Sequence, residues 1–571
     1  MRIPITAWLS PIIAGIVSLS PAAAVAAAAP PSADLIVFNA HVRTMDDTTP
    51  VAEAFAVRAG RFVAVGRRTE LEPLRGPQTE LLDAHGQTVT PGFIDTHMHP
   101  EPLFDEMSPR GQLQVFARDG VTSRAALYAK LAAKAKVTPP GQAIIANGYA
   151  DEAVGGHPLA RDLDSVVADH PLIIIHSSGH RLVANSLALQ LAGVTRATPD
   201  PAGGKFERGP DGEPNGVVLE TAQEIVRKAI AGRAPPPAER TELREAYRRE
   251  FGLFLSYGLT GVADAWTSLD KLEIYRDLRQ SGMPVTIYAM LRTDQLPWLI
   301  AHRRDPAWDV DGLTLRTLKI FAGNSFSGRT ALLYEPYAHP ENYYGLEPKV
   351  QPAELNELVH EAHAAGLQVA IHANGDREID RAVDAIIAAQ SAQPGADPRH
   401  RIEHASVMTA GILARVKAAH ICLAPHSYIR ENGEKLEDFG TARFDWLEPN
   451  RHALDAGVCI GGTSDYPISS ANVMERVESL VTRRAASNGK VYGASQRLSP
   501  VEALRVFTMG SAYLQFEEGE RGSITPGKRA DFVVLSADPV AVPPEQIHEI
   551  TARKTYVGGH CVFDAAIATS R

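Results

Sequence analysis

The chain has 571 residues, of which 44% are hydrophobic and 22% charged, a composition that excludes a disordered protein and predicts two domains. Its 57 basic and 67 acidic residues give a net charge of −10 without a basic block, so no nucleic-acid partner is expected. Cys422, Cys459 and Cys561 are too few for a disulfide framework or a thiolate metal cluster, and we expect them to be reduced and buried.

The chain starts with a segment typical of a secretory signal peptide. An apolar run from Ile3 to Leu19 precedes a stretch of small residues at 21–31. The tripeptide 24–26 reads Ala-Val-Ala and fits the cleavage rule, so residues 1–26 are predicted to be removed and the mature chain to begin near Ala27. A twin arginine and a cysteine near the cut are both absent, which favours a periplasmic or secreted protein without a lipid anchor. The alternative is an uncleaved membrane anchor, because the run is nearly long enough to span.

Short strands of alternating hydrophobicity are predicted at both ends of the mature chain. The segments with this pattern are 33–45, 54–66, 80–92, 522–539 and 551–565. Neither end alone supplies enough strands to bury a core, so we predict one composite β-sandwich built from residues 33–90 and 520–565.

Eight short apolar or β-branched runs lie between these ends, and amphipathic helical stretches separate them. The runs are 88–100, 258–268, 284–291, 318–325, 367–376, 401–406, 420–426 and 458–465. This alternation is typical of a (β/α)₈ TIM barrel, whose catalytic groups lie at the carboxyl ends of the strands. The barrel is predicted to take residues 91–519, with a large insertion at 101–257 between its first two strands.

Ionisable side chains stand at the ends of five of these runs. They are His97 and His99 in the first run, Lys319 in the fourth, His372 in the fifth, His404 in the sixth and Asp465 in the eighth. Because side chains two residues apart on a strand share a face, His97 and His99 can reach one cation; two polar loop histidines are the alternative. Imidazole and carboxylate ligands suit Zn²⁺, and the lack of thiolates predicts an open site rather than a closed structural one.

Lys319 and Asp465 have separate roles in this interpretation. An ammonium group cannot bind a metal ion, so Lys319 needs a lowered pKa or conversion to a carbamate that would add a bridging anionic ligand. An ion pair at the barrel mouth is the alternative. Asp465 is predicted to carry the proton, since a carboxylate beside the ion can accept it from the nucleophile and return it to a leaving group.

Six segments together resemble the amidohydrolase superfamily, specifically its YtcJ-like branch, amidohydrolase family 3. They are PGFIDTHMHP, LKIFAGNSFSGRTALL, VAIHANGD, RIEHA, GGTSD and the closing GSITPGKRADFVVL. The resemblance runs from about Ala33 to Phe563 and implies a distorted barrel beside a composite β-sandwich, with one or two divalent metal ions, Zn²⁺ being expected. The ligands that it implies are His97, His99, carbamylated Lys319, His372, His404 and Asp465. The family commonly reads KIFADGS where this chain reads KIFAGNS, which removes the acidic residue and introduces Asn324, and it usually reads GSD where this chain has TSD with Thr463. Both departures put the identity of the substrate in doubt.

Four further residues are predicted to face the substrate, and one neighbour is not. His180 resembles a histidine of the family's insertion that could polarise a substrate carbonyl, with a capping or core histidine as the alternative. Arg329 could bind a substrate carboxylate, although a surface arginine is as reasonable. His426 and Tyr428 end the seventh run and are expected to line the pocket. Glu403 alternates to the face opposite His404, so we interpret it as structural.

The predicted function is hydrolysis of the C–N bond of an amide, formamide, carbamate or cyclic amide by a hydroxide that the metal activates. One alternative keeps the site and changes the bond to an ester, lactone or phosphotriester. The other is a catalytically silent exported protein with a regulatory or sensing role, which the presence of all six ligands disfavours. The expected partner is a small-molecule substrate, with no stable membrane anchor, and a homodimer is left open.

Overall fold

The computed structural model describes residues 32–568, except Pro109, Pro236, Ala396 and Ser427. The predicted signal peptide therefore lies outside the described residues. Among the residues that are described, no helix combines the length and the apolar character needed to cross a membrane.

The N-terminal strands fall into two sheets. They are β1 (Leu35–Phe38), β2 (His41–Arg43), β3 (Val51–Ala52), β4 (Ala54–Arg58), β5 (Arg61–Gly66), β6 (Glu80–Asp83) and β7 (Thr88–Pro91), with the short helix α1 (Arg68–Leu71) between β5 and β6. The first sheet has the order β5-β4-β1-β6. Alternate residues such as Val37 and Phe55 turn inward and are fully buried.

After β8 (Phe93–Met98) the chain leaves the barrel and builds a separate sheet. Its strands are β9 (Leu113–Gln114), β10 (Ile144–Tyr149), β11 (Leu172–His176), β12 (Arg181–Ala184), β13 (Gly204–Arg208) and β14 (Pro214–Glu220), in the order β13-β14-β12-β11-β10-β9. The helices of this part are α2 (Arg124–Val137), α3 (Ala160–Asp164), α4 (Ser186–Leu191) and α5 (Ala222–Ala231). Ile174 and Ile175 of β11 belong to two different hydrophobic clusters, so each face of the sheet has its own core.

Seven parallel strands form the barrel sheet, in the order β20-β19-β18-β17-β16-β15-β8. Those after β8 are β15 (Leu259–Thr267), β16 (Thr286–Arg292), β17 (Leu313–Phe321), β18 (Gln368–Ala373), β19 (Arg401–His404) and β20 (Cys422–Pro425). The helices are α6 (Arg240–Ser256), α7 (Leu269–Gln280), α8 (Leu296–His302), α9 (Pro352–Ala364), α10 (Asp376–Ala392), α11 (Ala410–Ala418), α12 (Ile429–Asn432), α13 (Asn450–Asp455), α14 (Val473–Thr482), α15 (Pro500–Arg505) and α16 (Ser511–Leu514). The predicted fold class is confirmed, and the buried strands are nearly continuous apolar runs, as parallel sheets require.

The eighth predicted strand is present as an irregular segment. Ile460 forms an isolated parallel bridge to Leu423 of β20. On the other side, the N–H of Thr96 donates to the carbonyl of Gly462 at 2.9 Å, so residues 458–465 close the gap between β20 and β8. A Cβ atom on Gly462 would lie 2.5 Å from the ring of Phe507, which shows why this close-packed segment contains glycine.

The last strands of the chain complete the second N-terminal sheet. They are β21 (Phe532–Leu535), β22 (Ala552–Val557) and β23 (His560–Asp564), followed by α17 (Ala565–Ala568). Strand β21 runs antiparallel to β7, with Val534 opposite Val89, and the sheet has the order β23-β22-β21-β7-β2-β3. Phe55 and Phe532, from opposite ends of the chain, pack with ring centroids 5.0 Å apart in one hydrophobic cluster.

The expectation that all cysteines are reduced and buried is wrong. Cys422 and Cys459 form a disulfide, with Cα atoms 4.8 Å apart. The two cysteines are 37 positions apart in the sequence, so the sequence alone does not show that β20 and the eighth segment are lateral neighbours. Cys561 is a free cysteine and is exposed rather than buried.

Stability is expected to depend on pH through His400, a fully buried histidine beside β18. Its Nδ1 accepts the N–H of Val369 at 3.0 Å, and its Nε2 lies 2.9 Å from Nδ1 of His363. Burial, and then the neighbouring His363, lowers the pKa of His400 to about 3 from an ordinary value of 6.5. Between these values only the unfolded chain binds the proton, so the free energy of unfolding falls as pH falls, by up to ~1.4 kcal/mol per pH unit.

The variant His400→Gln removes this titration. We expect its free energy of unfolding, measured by chemical denaturation between about pH 6 and 4, to fall less steeply with acidification than that of the wild type. Parallel pH profiles for the two proteins would contradict the assignment.

Candidate metal centre

Three ligand-type side chains converge where β8 meets the eighth barrel segment. Ligand atoms of His97, His99 and Asp465 all lie within 4.8 Å of one another. Nε2 of His99 is 3.2 Å from Oδ1 of Asp465, and Nε2 of His97 is 3.6 Å from the same oxygen. His97 is buried, whereas the His99 side chain is 23% exposed. Two imidazoles and one carboxylate are a donor set that a divalent cation accepts with a coordination position left open.

Lys319, His372 and His404 extend the same cluster from β17, β18 and β19. Nζ of Lys319 lies 3.2 Å from Nε2 of His97. The rings of His97 and His404 have centroids 4.7 Å apart, and those of His372 and His404 are 4.5 Å apart. The structure thus brings all six predicted groups together at the carboxyl ends of the strands.

Burial sets the charge of these groups. Burial, with Lys319 as the next cause, lowers the pKa of His97 to about 4. Burial also holds the pKa values of His372 and His404 well below their usual range, so all three imidazoles are neutral near pH 7, as metal ligation requires. The pKa of Lys319 is lowered by burial to about 8, which leaves about a tenth of the amine neutral at pH 7.

Asp465 stays ionised in this setting. Burial by itself would raise the pKa of Asp465, but the nearby imidazoles of His99 and His97 outweigh burial and hold the pKa below its usual range. An ionised carboxylate that touches two candidate ligands can serve as a metal ligand, and its unprotonated form leaves it available to a proton.

Glu403 is the functional residue that the sequence analysis missed. Its carboxylate bonds to Nδ1 of His97 and to Arg401, which also donates from Nη2 to the carbonyl of Thr96 at 2.6 Å. The interpretation that Glu403 points away from the site is wrong, because His404 has a φ of 68° and strict alternation ends at that residue. A carboxylate that bonds to one nitrogen of a histidine leaves the other nitrogen for a metal ion. The sequence feature that could have indicated this role is an acidic residue directly before a histidine at a strand end.

Neighbouring groups fix the other histidines in the same way. The hydroxyl of Tyr428 is 3.0 Å from Nδ1 of His404, and Nε2 of His372 lies 3.0 Å from the carbonyl of Asn324. The opposite nitrogens, Nε2 of His404 and Nδ1 of His372, therefore remain available to bind a metal ion. Asn324 at the departing position thus acts through its backbone carbonyl.

His180 reaches the cluster from the insertion. Its ring stacks on that of His372 with centroids 5.3 Å apart, and its Nδ1 lies 2.8 Å from Oε2 of Glu220. Burial lowers the pKa of His180, but Glu220 outweighs burial and the net direction is upward. The structure therefore places His180 beside the candidate ligands, held by a carboxylate.

The remaining predicted residues differ in their surroundings. His426 is buried against Tyr428, with ring centroids 3.8 Å apart, and its Nε2 donates to the carbonyl of Ser464 at 2.6 Å. Arg329 is engaged elsewhere, because its Nε donates to the carboxylate of Asp438 at 2.5 Å and its side chain is 41% exposed. Tyr428 and His426 thus border the cluster, and the Arg329 guanidinium already has a carboxylate partner.

Comparison with known proteins gives matches over most of the chain. Residues 80–563 match the model Amidohydro_3, described as an amidohydrolase family. The putative amidohydrolase YtcJ of Bacillus subtilis is 29% identical over 542 residues, covering 92% of this chain and 98% of that protein. The N-substituted formamide deformylase of Arthrobacter pascens is 30% identical over 561 residues, covering 92% and 97%. An uncharacterized metal-dependent hydrolase of Pyrococcus horikoshii has a similar fold, with a TM-score of 0.70 at 24% identity over 90% of this chain and 99% of that one.

Proposed function

Since the chain belongs to the amidohydrolase family, in its YtcJ-like branch, we propose that it cleaves the C–N bond of an amide, formamide, carbamate or cyclic amide with the help of a divalent metal ion. The observation that carries this proposal is the set of His97, His99 and Asp465, whose ligand atoms lie within 4.8 Å of one another. The 30% identity to a protein named N-substituted formamide deformylase supports formamides as the first class to test.

The donor set fits a divalent cation, with Zn²⁺ as the first candidate. His97, His99 and Asp465 would hold one ion, and Lys319, His372 and His404 are placed to hold a second. A bound divalent cation supplies a water molecule made acidic enough to attack a carbonyl at neutral pH. The neutral fraction of Lys319 could add through its nitrogen to carbon dioxide and lose a proton, giving an anionic carbamate.

The chain's own residues account for the proton and the substrate. Asp465 would accept the proton of the attacking water and return it to nitrogen as the C–N bond breaks, so that an amide and water give an acid and an amine. Glu220 accepts the Nδ1–H of His180 and raises its pKa, so the imidazolium form of His180 would donate its Nε2–H to the substrate carbonyl oxygen.

Paired substrates test the proposal. Zinc-loaded protein is expected to release amine from at least one N-substituted formamide in a panel that also holds matched amides, carbamates and esters. Hydrolysis confined to esters, lactones or phosphotriesters would show that the assigned bond is wrong. Failure of the metal-loaded protein on the whole panel would contradict the proposed reaction.

Lys319→Ala is expected to lower occupancy of the second ion and to be partly rescued by added acetate, which can occupy the vacated space as a bridging anion. Metal content and turnover with and without acetate measure this effect. The matched control is Lys349→Ala, an exposed lysine that pairs with Glu224 and should behave as wild type. Full metal content and full activity in Lys319→Ala would instead make the lysine an ion-pair partner of a one-metal centre.

We also propose that the protein is exported and soluble. The disulfide between Cys422 and Cys459 supports an oxidising compartment. Fractionation followed by N-terminal sequencing is expected to recover a soluble periplasmic or secreted chain that begins near Ala27. Recovery in the membrane, or an intact Met1 on exported protein, would contradict this.

A further inference from the structure

A cavity of about 470 Å³ lies beside the candidate metal centre, between α6, the loop after β8 and the segment after Asp465. Its lining includes Glu101 and Tyr466, which follow His99 and Asp465 by two residues and one residue. The N–H of His99 donates to the carbonyl of Tyr466 at 2.6 Å. The cavity therefore begins next to the metal centre, and its volume is in the range of small-molecule sites.

Acidic side chains outnumber basic ones in the lining of this cavity. The acids are Glu101, Glu106, Asp119, Glu250 and Glu475, and the bases are Arg110 and Arg118. Both arginines are already engaged. Arg110 pairs with Glu242 at 2.9 Å, and Arg118 donates to the carbonyl of Pro467 at 2.8 Å. Glu106 and Glu475 also have basic partners, Lys130 at 3.5 Å and Arg476 at 3.6 Å, so the lining acids without an ion pair in the described part of the chain are Glu101, Asp119 and Glu250.

Glu250 is the most deeply placed of these acids. Its side chain lines the cavity although the residue is only 1% exposed, and Oε2 has no hydrogen-bond partner within the described part of the chain. The Tyr466 hydroxyl and the Glu101 amide approach the carboxyl group, while the nearby Lys271 is bound to Asp264 at 3.0 Å. A buried acceptor without a partner is unfavourable, so a donor supplied from the cavity would stabilise it.

We propose that this cavity binds the ammonium group of an organic amine, with the carboxylates of Glu250 and Glu101 as its partners. Resting on the proposed function, this makes the substrate an N-acylated amine that carries a second, protonated amino group. An ammonium brings three N–H donors, and Phe104, Leu253 and Tyr257 supply apolar surface for its carbon chain. A metal ion does not fit here, because no three of the described carboxylates that line the cavity lie close enough together to share one.

The burial of Glu250 agrees with this occupant. Burial raises the pKa of the Glu250 carboxyl well above its ordinary value, because Lys271 and the Tyr466 hydroxyl supply only part of the compensation that its charge needs. A bound ammonium group supplies that compensation, whereas a neutral alcohol of the same size does not.

Calorimetric titration of the full zinc-loaded protein tests the site directly. Butylammonium is expected to bind at least about 10-fold more tightly than 1-butanol, and Glu250→Gln to weaken butylammonium binding by roughly 10- to 100-fold. The matched control is Glu273→Gln, which alters a surface carboxylate paired with Arg240 at 2.8 Å and should leave the affinity unchanged. If Glu250→Gln does not fold, Glu101→Gln is expected to weaken binding in the same direction. Equal affinity in the wild type and the folded cavity variant would overturn the proposal.

Kinetics separates this inference from the proposed reaction. The wild type is expected to have a higher kcat/KM for N-formyl-1,4-diaminobutane than for the neutral N-pentylformamide. Equal hydrolysis of both compounds would overturn the ammonium site and leave the proposed function standing. Glu250-dependent binding of butylammonium without hydrolysis of either compound would support the ammonium site and count against the proposed function.

Discussion

Asp465→Asn protein is expected to keep most of its metal while its turnover falls about 10²- to 10⁴-fold, the range for loss of a general base. The amide retains an oxygen at the position of Oδ1, which lies 3.2 Å from His99, so a ligand remains. The amide cannot take up the proton of the attacking water, so the chemical step loses its carrier. The two quantities to measure are metal content by elemental analysis and kcat on the best formamide.

A surface carboxylate provides the control for this variant. Asp311 is 98% exposed and forms a single long ion pair, 3.5 Å, with Arg279. Asp311→Asn should therefore match the wild type in both measurements. Full activity in Asp465→Asn would mean that the proton travels through another group, and His180 would be the next residue to change.

His97→Ala is expected to lose both the metal and nearly all activity. His97 lies at the centre of the cluster, because it contacts Glu403 through Nδ1 and faces Lys319 and Asp465 through Nε2. Removing an outer partner of a ligand costs roughly 10- to 100-fold in metal affinity, and removing the ligand itself should cost more.

An exposed histidine is the matched control for His97. His41 has a side chain 45% exposed and pairs with Asp538 at the surface, so His41→Ala should keep metal and activity. Circular dichroism would verify that His97→Ala is folded. A folded His97→Ala protein with stoichiometric metal would contradict the assignment of this histidine as a ligand.

The sequence predicted the positions of side chains correctly where the regular geometry of a strand is kept in the folded chain. The two-residue period of a strand placed His97 and His99 on one face, and the structure shows both beside Asp465. The prediction of side-chain direction was wrong where the alternation of the strand stops. The positive φ of His404 breaks the alternation at the end of β19, so Glu403 was assigned to the wrong face.

Contacts between segments that are far apart in the sequence could not be predicted from the sequence either. Cys422 and Cys459 are 37 residues apart, and their pairing depends on the eighth segment lying beside β20. The unpartnered oxygen of Glu250 is likewise a property of packing between α6 and two loops, with no signal in the local sequence. The alternation of strands and helices predicted the fold class, and the family resemblance added the full ligand set, whereas the lining of the cavity depends on packing between distant segments.

Elemental analysis of active, wild-type protein tests the central claim most directly. The arrangement of His97, His99 and Asp465 predicts at least one divalent ion per chain, removed by a chelator together with the activity and restored with it. Protein that hydrolyses its substrate at full rate without stoichiometric metal would contradict the claim.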